Sequence, residues 1–273
     1  MNNLFALKLF LYIFCFYACD NIDFKKENSI VNQTKKKQIE AIPEEAIALI
    51  TSYPKSIIGY QNNHIIFADS TTMIFDDSIV KSPEELINSP DLQDMFVYNY
   101  VEGPVTKNYV PDEDPGRIRN EEFFKKIYGL TKGDVLDNLV EINWCPNLAG
   151  IKIKVTTIND IHLKLTEISN ELDKHEEFSR YISKLGGTFN WRTIKDTDRL
   201  SMHSFGLSID LNVSMSNYWK WDLRKNNGDF KLNYKNKFPN EIILIFEKHG
   251  FIWGGKWKHY DTMHFEYRPE LLL

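Results

Sequence analysis

The sequence predicts an α+β fold, and two patterns carry this prediction. Short runs of alternating apolar and polar residues, such as residues 207–213, are typical of strands with one buried face. Segments with apolar residues at helical spacing, such as residues 161–172, lie between these runs. Because the runs do not have the long spacing of βαβ units, we expect a small antiparallel sheet with flanking helices and an N-terminal extension.

The composition excludes two classes of protein. Hydrophobic residues make up 42% of the 273 residues and charged residues 26%, which is typical of a globular chain of one large domain or two small ones. The 33 Lys and Arg residues against 38 Asp and Glu residues give a net charge of −5, so a nucleic-acid-binding protein is not expected. No apolar run reaches the roughly 20 residues of a membrane-spanning helix.

The N-terminus predicts an exported lipoprotein. Residues 9–19 are apolar and follow Lys8, and this length suits the apolar part of a signal peptide. The run ends at Ala18-Cys19, which resembles a bacterial lipoprotein signal over residues 1–18, with lipid on Cys19. A plain cleaved signal is the alternative. Residues 19–43 are polar and predict a flexible tether, so we expect a membrane-anchored protein, periplasmic or on the cell surface.

The three cysteines leave no disulfide in the mature chain. Cys15 lies in the predicted signal and Cys19 would carry lipid, so Cys145 is the remaining thiol. Its apolar neighbours predict that it is buried and inert.

We expect residues 44–141 to form an N-terminal extension that packs on the rest of the chain. Predicted strands at 56–60 and 64–68 flank a Gln-Asn-Asn turn, and a third run ends at Asp76. The helical predictions that follow cover short turns over 83–97, the segment NEEFFKKIYGL ending at Gly129, and GDVLDNLVEI with Val135, Leu136, Leu139 and Val140.

Residues 142–273 predict the main domain. The predicted strands are INWCP, IKIKVTTI, TFNWR at 188–192, residues 207–213, and a last pair in FIWGG and MHFEY. The predicted helices are DIHLKLTEISNELDKH, a second stretch ending at Gly186-Gly187, and EIILIFEKHG ending at Gly250.

Two segments contain residue types that can bind a metal ion or transfer a proton. In SMHSFGLSIDLN, His203 and Asp210 would face opposite sides of one strand, but Gly206 breaks the segment, so His203 can converge with Asp210 from a preceding turn. The second cluster, residues 253–269, holds Asp261 and His264. Two histidines and one carboxylate form a catalytic zinc set that leaves a position for water. A nearby carboxylate can act as general base, and Asp261 is placed for this role.

These segments are similar to the VanY-like family of zinc D,D-carboxypeptidases and L-alanyl-D-glutamate peptidases. Its motifs, Ser-x-His-x6-Asp and Trp-Gly-Gly followed by Asp-x-x-His-Phe, stand here as Ser201-His203-Asp210 and as Trp253-Gly254-Gly255 with Asp261 to Phe265. The resemblance implies the zinc ligands His203, Asp210 and His264, the general base Asp261, and the fold shared with the hedgehog N-terminal domain over residues 142–273.

An arginine usually completes the site in this family by stabilising the developing oxyanion, and in some relatives it lies further upstream in the chain. Arg192 is the candidate, and Arg199 is a runner-up that would bind a substrate carboxylate. Ser201 would bond to substrate or cap a turn, and Trp253 and Trp257 would line the substrate groove or pack in the core. The remaining candidates are interpreted as supporting groups: His259 at the rim, Glu266 orienting a ligand, and Arg117 and Arg119 in structural ion pairs with nearby acidic residues.

The resemblance therefore implies a zinc peptidase that hydrolyses peptidoglycan stem peptides, with D-alanyl-D-alanine carboxypeptidase activity favoured. The alternatives are an L-alanyl-D-glutamate endopeptidase and a non-catalytic wall-binding lipoprotein. The expected partners are stem peptides and the membrane, through lipid on Cys19, and a monomer is favoured.

Overall fold

The computed structural model describes residues 41–225 and 232–273. All of them belong to one unit, Glu40–Leu273. The predicted signal peptide, Cys19 and all but the last three residues of the predicted tether lie outside the described residues. Within the described ranges, no helix has both the length and the hydropathy needed to span a bilayer.

Helices and antiparallel strands alternate along the chain, which confirms the predicted α+β class. The α-helices are α1 Glu44–Ser52, α2 Pro83–Asn88, α3 Glu121–Tyr128, α4 Lys132–Asp137, α5 Ile161–Leu172, α6 Ser179–Ile182, α7 Trp219–Lys225 and α8 Asn240–Lys248. Short 3-10 turns join several of them.

The strands form three antiparallel sheets. They are β1 Ile57–Gln61, β2 His64–Phe67, β3 Thr72–Ile74, β4 Leu139–Trp144, β5 Ile151–Thr156, β6 Leu185–Gly187, β7 Ser208–Asn212, β8 Phe251–Trp253 and β9 His264–Tyr267. The sheet orders are β1-β2-β3, β4-β5 and β6-β7-β9-β8. The two central strands of the last sheet are β7, which contains Asp210, and β9, which contains His264.

The first hairpin follows the sequence prediction. Asn62 and Asn63 connect β1 and β2 with positive φ angles of 48° and 59°. Asparagine tolerates this left-handed conformation, which a two-residue hairpin turn requires.

The helical prediction for GDVLDNLVEI is wrong in its second half. Helix α4 ends at Asp137, and Leu139 and Val140 begin strand β4. The side chain of Asn138 donates to the carbonyl oxygen of Asp134, which satisfies a backbone group at the end of the helix. Pairing of β4 with β5 over Leu139 to Trp144 then outweighs the helical spacing of the apolar residues. The domain boundary predicted between residues 141 and 142 therefore falls inside a strand.

The strand predicted for TFNWR is also absent from the described structure. The edge strand is β6, just before this segment, and residues 188–192 run beside the turn that carries His203. The amide of Asn190 donates to the carbonyl oxygen of His203, and the amide of Arg192 donates to Ser204 Oγ. The backbone is thus paired with a turn instead of with a neighbouring strand.

Cys145 lies in the core, as the sequence predicts. It is buried, and its Sγ lies 3.6 Å from the carbonyl oxygen of Ser169. Burial raises the pKa of the Cys145 thiol to about 12, so the nucleophilic thiolate is disfavoured.

Residues of the predicted extension make buried hydrogen bonds with the C-terminal part of the chain. Tyr53 Oη donates to Glu270 over 2.6 Å, and Tyr100 Oη donates to Glu247 over 2.6 Å. Lys256 Nζ contacts Glu247 at 2.5 Å and also donates to the carbonyl oxygen of Val101 in the extension over 2.7 Å. Because these groups are buried, each bond fixes the position of the extension on the sheet that carries the clusters.

Candidate active site

A sharp turn places His203 beside strand β7. His203 lies in the 3-10 turn Met202–Phe205, and Gly206 ends this turn with a φ of 68°. A Cβ atom on Gly206 would approach Leu139 Cδ2 to 2.6 Å and the amide nitrogen of Thr156 to 3.2 Å. Only glycine fits both this conformation and this contact, so the chain can reverse and bring His203 back over Asp210. The predicted convergence of the two side chains is confirmed.

Asp210 and His264 are direct neighbours across the sheet. They are register partners on the antiparallel strands β7 and β9, so their side chains project from the same face. On the other side of β7, Gly187 pairs with Asp210, and a Cβ on Gly186 would lie 2.8 Å from Asp210 Cβ. The absence of a side chain at Gly186 therefore leaves room for Asp210.

His203, Asp210 and His264 each place one atom that could bind a metal ion close to the other two. His203 Nε2 lies 3.2 Å from Asp210 Oδ1 and 3.2 Å from His264 Nδ1, and His264 Nδ1 lies 2.9 Å from Asp210 Oδ1. Both histidines are buried, and Asp210 is partly buried. His203, Asp210 and His264 are thus a candidate metal-binding group, as the motif predicts.

The far nitrogens of both rings have acceptors of their own. His203 Nδ1 lies 2.5 Å from the carbonyl oxygen of Thr188, and His264 Nε2 lies 2.9 Å from Glu266 Oε2. If each of these nitrogens carries the proton, the other nitrogen keeps a lone pair, and these lone pairs face Asp210. Metal-binding histidines have this arrangement, with an outer acceptor that fixes the tautomer. The donor set therefore fits a metal ion.

Charge around the cluster favours a cation at its centre. Burial alone would lower the pKa of His264, but hydrogen bonds with Asp210 and Glu266 favour the protonated ring and raise it to about 10, so a metal ion at Nδ1 would take the place of a proton there. Burial alone would raise the pKa of Asp210, but His203 and His264 hold it well below its usual range. Asp210 therefore stays ionised beside the two rings.

Glu266 is held by two arginines. Arg119, which comes from the N-terminal extension, donates to both carboxylate oxygens, with Nη2 at 2.6 Å and Nε at 3.2 Å. Arg268 Nη1 lies 3.3 Å from Glu266 Oε1. Burial would raise the pKa of Glu266, but Arg119 and His264 hold it far below its usual range. The predicted ion pairing of Arg119 is present, but its partner is the distant carboxylate that orients His264 and not a nearby acidic residue.

The loop before β9 positions Asp261. The amide of Asp261 donates to the carbonyl oxygen of Gly254 over 2.9 Å. A Cβ on Gly254 would come within 2.6 Å of the Asp261 carbonyl oxygen, and one on Gly255 would come within 2.1 Å of the Trp253 ring. The glycines of the Trp-Gly-Gly motif therefore allow close packing under the loop that carries Asp261.

Asp261 has the properties of a general base. Burial and the nearby Asp210 carboxylate raise the pKa of Asp261 to about 7. Its Oδ1 is buried without a hydrogen-bond partner among the described residues. A buried, unpartnered carboxylate oxygen beside the ligand group is suited to exchange a proton with water or substrate.

One cavity of about 450 Å³ is lined by His203, Asp210, Asp261 and His264. Arg117, which the sequence analysis assigned to structural pairing, also lines it. Its guanidinium packs 5.3 Å from the Trp257 ring, and its nearest approach to Asp114 is 3.7 Å. No local pattern marks Arg117 as a site residue, because 93 positions or more separate it from Asp210 and Asp261 (210 − 117 = 93).

Two further predicted residues lie in the cavity. Ser201 is buried, and Arg192 is exposed with Nη1 3.3 Å from the carbonyl oxygen of Thr193. Both line the cavity together with His203, Asp210 and His264. Their predicted contacts with substrate stay predictions.

Two other predicted substrate contacts are corrected. Arg199 does not line this cavity, because its Nη1 donates to the carbonyl oxygen of Ile87 over 2.9 Å. Trp253 is fully buried, and its Nε1 donates to the carbonyl oxygen of Thr262. Trp257 is the tryptophan in the cavity wall. His259 contacts Asp114 through Nδ1 at 2.6 Å and is not in the wall.

Among the described residues, a second group has carboxylates close enough together to hold a metal ion: Asp76, Asp77 and Asp91. The ammonium of Lys81 lies 2.8 Å from Asp77 and 3.0 Å from Asp91. A lysine ammonium therefore already bridges two of these three carboxylates.

Comparison with known families bears on the same cavity. Residues 195–267 match the model of a D-alanyl-D-alanine carboxypeptidase family. This confirms the family resemblance predicted from the motifs and supports a peptidase. The carboxypeptidase-family segment contains His203, Asp210, Asp261 and His264, whereas Arg117 and Arg119 lie outside it. No curated protein and no solved structure matches the chain.

Proposed function

We propose that this protein is a zinc-dependent D-alanyl-D-alanine carboxypeptidase that acts on peptidoglycan stem peptides. The observation that carries the proposal is the meeting of His203 Nε2, Asp210 Oδ1 and His264 Nδ1 at 2.9–3.2 Å beside Asp261. Tetrahedral zinc holds such ligands at about 2.0–2.2 Å, which separates them from one another by roughly 3.3 Å. Three protein ligands also leave one position open, as in catalytic zinc sites.

The residues of the cavity have complementary roles in peptide hydrolysis. Bound zinc would polarise the scissile carbonyl and lower the pKa of water. Asp261 accepts a proton from the attacking water and donates it to the leaving amine. Arg192 faces the negative charge that develops on the carbonyl oxygen. Glu266, held by Arg119, keeps His264 in the tautomer that presents Nδ1 to the ligand group.

The proposal includes export and membrane anchoring through Cys19. It is supported by the apolar run at 9–19, by the Ala18-Cys19 junction and by the polar segment that follows. A polar tether would let the catalytic unit reach stem peptides from the membrane.

Mass spectrometry of defined stem peptides tests the activity. We expect the zinc-loaded protein to release terminal D-Ala from a pentapeptide that ends in D-Ala-D-Ala, and a chelator to stop the release. Cleavage after L-Ala would instead identify an endopeptidase. Intact peptides after incubation with zinc-loaded protein would contradict the enzyme assignment and favour a wall-binding protein.

Two of the arginines in the cavity wall, Arg192 and Arg117, have different expected effects. Arg192 forms no ion pair among the described residues, whereas the guanidinium of Arg117 already contacts Trp257 and lies near Asp114. We therefore expect Arg192→Gln to lower kcat about 100-fold with little change in KM, because an unpaired cation is available to the oxyanion. We expect a smaller loss for Arg117→Gln. Steady-state kinetics on the pentapeptide measures both, and the reverse order would assign the oxyanion role to Arg117.

A further inference from the structure

The cavity is cationic although the chain is acidic. Its wall holds six Lys or Arg side chains and three Asp side chains, while the whole protein has a net charge of −5. Arg119 is bound to Glu266, Arg117 lies near Asp114, and Arg192 is the arginine beside the reacting carbonyl in the proposed function. Three cations remain: Lys195, Arg224, and Lys220, which lies 3.9 Å from the exposed Asp196. We call these three side chains the cationic rim.

The cationic rim comes from two elements that meet at the mouth of the cavity. Lys195 lies in the loop after Arg192, and Lys220 and Arg224 lie one turn apart on α7. Lys220 Nζ donates to the carbonyl oxygen of Lys195 over 3.2 Å, which joins the two elements. Lys195 and Arg224 are exposed. Among the candidate metal ligands, His203 and His264 are buried and Asp210 is partly buried. A substrate on the ligands would thus extend past the rim.

The arrangement of the rim is electrostatically unfavourable in the protein alone. Like charges at i and i+4 of a helix repel each other, as Lys220 and Arg224 do. Asp196 compensates weakly, because it is exposed and 3.9 Å from Lys220 Nζ. Burial lowers the pKa of Lys220, and the nearby cations Arg117, Lys195 and Arg224 lower it further against the opposing effect of Asp196. An anion bound at the rim would relieve this repulsion.

We propose that the cationic rim binds a second carboxylate of the substrate peptide, separate from the carboxylate at its cleaved end. This inference rests on the proposed function and specifies which stem peptides the cavity prefers. Such a carboxylate has two sources in stem peptides: the α-carboxylate of the γ-linked glutamate, and the side-chain carboxylate of a diamino diacid at the third position. The shared chemistry is a carboxylate that meets Lys and Arg donors at the mouth of the cavity.

Matched peptides and matched variants test the rim. Each of the two carboxylates is replaced in turn by a carboxamide, and kcat/KM is measured with the zinc-loaded full protein. We expect one carboxamide peptide to react about 5-fold or more slowly, mainly through KM, as for one partly exposed ion pair. The affected peptide identifies the source. In Arg224→Gln and Lys195→Gln the preference for carboxylate over carboxamide should shrink toward 1, and high salt should shrink it as well.

Lys225→Gln is the control. Lys225 lies on the same helix and is exposed, but it does not line the cavity. We expect this variant to keep the full preference for the carboxylate peptide. Equal kcat/KM for all peptides in the unmodified protein, or equal loss of preference in Arg224→Gln and Lys225→Gln, would overturn the proposal.

A binding measurement separates this inference from the proposed function. Calorimetry with the same peptides and zinc-loaded protein reports carboxylate-dependent binding even without cleavage. Binding that favours the carboxylate and is weakened by Arg224→Gln supports the rim, whether or not the peptide is cut. Cleavage without any carboxylate preference overturns the rim and leaves the peptidase proposal intact. Absence of both cleavage and binding overturns both.

Discussion

Replacing His264 with alanine is expected to abolish both metal retention and peptide hydrolysis. His264 Nδ1 is one of three acceptor atoms that meet within 3.2 Å, and its Nε2 is fixed by Glu266. Two remaining ligands bind a metal ion far more weakly, and loss of the ion removes several kcal/mol of transition-state stabilisation. At 1.36 kcal/mol for each factor of ten, we expect kcat/KM to fall about 1000-fold or more. His203→Ala should behave in the same way.

Metal content and thermal unfolding of the purified proteins measure this effect. The unmodified protein should retain about one zinc ion and unfold at a higher temperature when zinc is added, since ligand binding to the folded state stabilises it. Both variants should lose this shift. His264→Gln keeps a side chain that can donate to Glu266, so it separates loss of the ligand from loss of packing. His175→Ala is a suitable control, because His175 is exposed and contacts Glu177 away from the cavity. Full activity in either ligand variant would exclude the proposed metal site.

Asp261→Asn is expected to retain the metal and lose turnover. The substitution preserves shape but removes the group that exchanges the proton, and a positioned acid–base group contributes about 100- to 10,000-fold in rate. We therefore expect kcat to fall by this factor while KM and zinc content change little. The unpartnered Oδ1 of Asp261 means that few hydrogen bonds are lost in the change.

Kinetics and zinc stoichiometry on the same sample separate the roles of Asp261. Asp198→Asn makes the same change on a nearby exposed loop residue that does not line the cavity, and it should be fully active. Loss of zinc from Asp261→Asn would make Asp261 a metal ligand. Unchanged kcat would exclude it as the general base.

The sequence is sufficient to predict the parts of the site that lie close together along the chain. Gly206 indicates the turn that returns His203 to Asp210, and the strand patterns around Asp210 and His264 indicate a shared sheet. The structure adds their direct pairing across β7 and β9. Trp253 and Trp257 are equivalent in the sequence, and only packing decides that Trp253 is in the core and Trp257 in the cavity wall.

The remaining features depend on contacts between distant parts of the chain. Arg117 and Arg119 reach the site from the extension, and helical or strand periodicity carries no information about such contacts. The segment TFNWR has strand-like residues, but its backbone bonds with the His203 turn override that preference. Leu139 and Val140 likewise follow their pairing with β5 instead of their helical spacing.

The bonds of Tyr53, Tyr100 and Arg119 also constrain how this chain can evolve. A recombination event that moved only the family-matching segment into another protein would separate Glu266 from Arg119 and Glu247 from Tyr100. A buried polar group that loses its partner costs about 1–3 kcal/mol, which is a large share of the 5–15 kcal/mol that stabilises a typical domain. The segment at 195–267 should therefore be less stable when the upstream residues are not transferred with it.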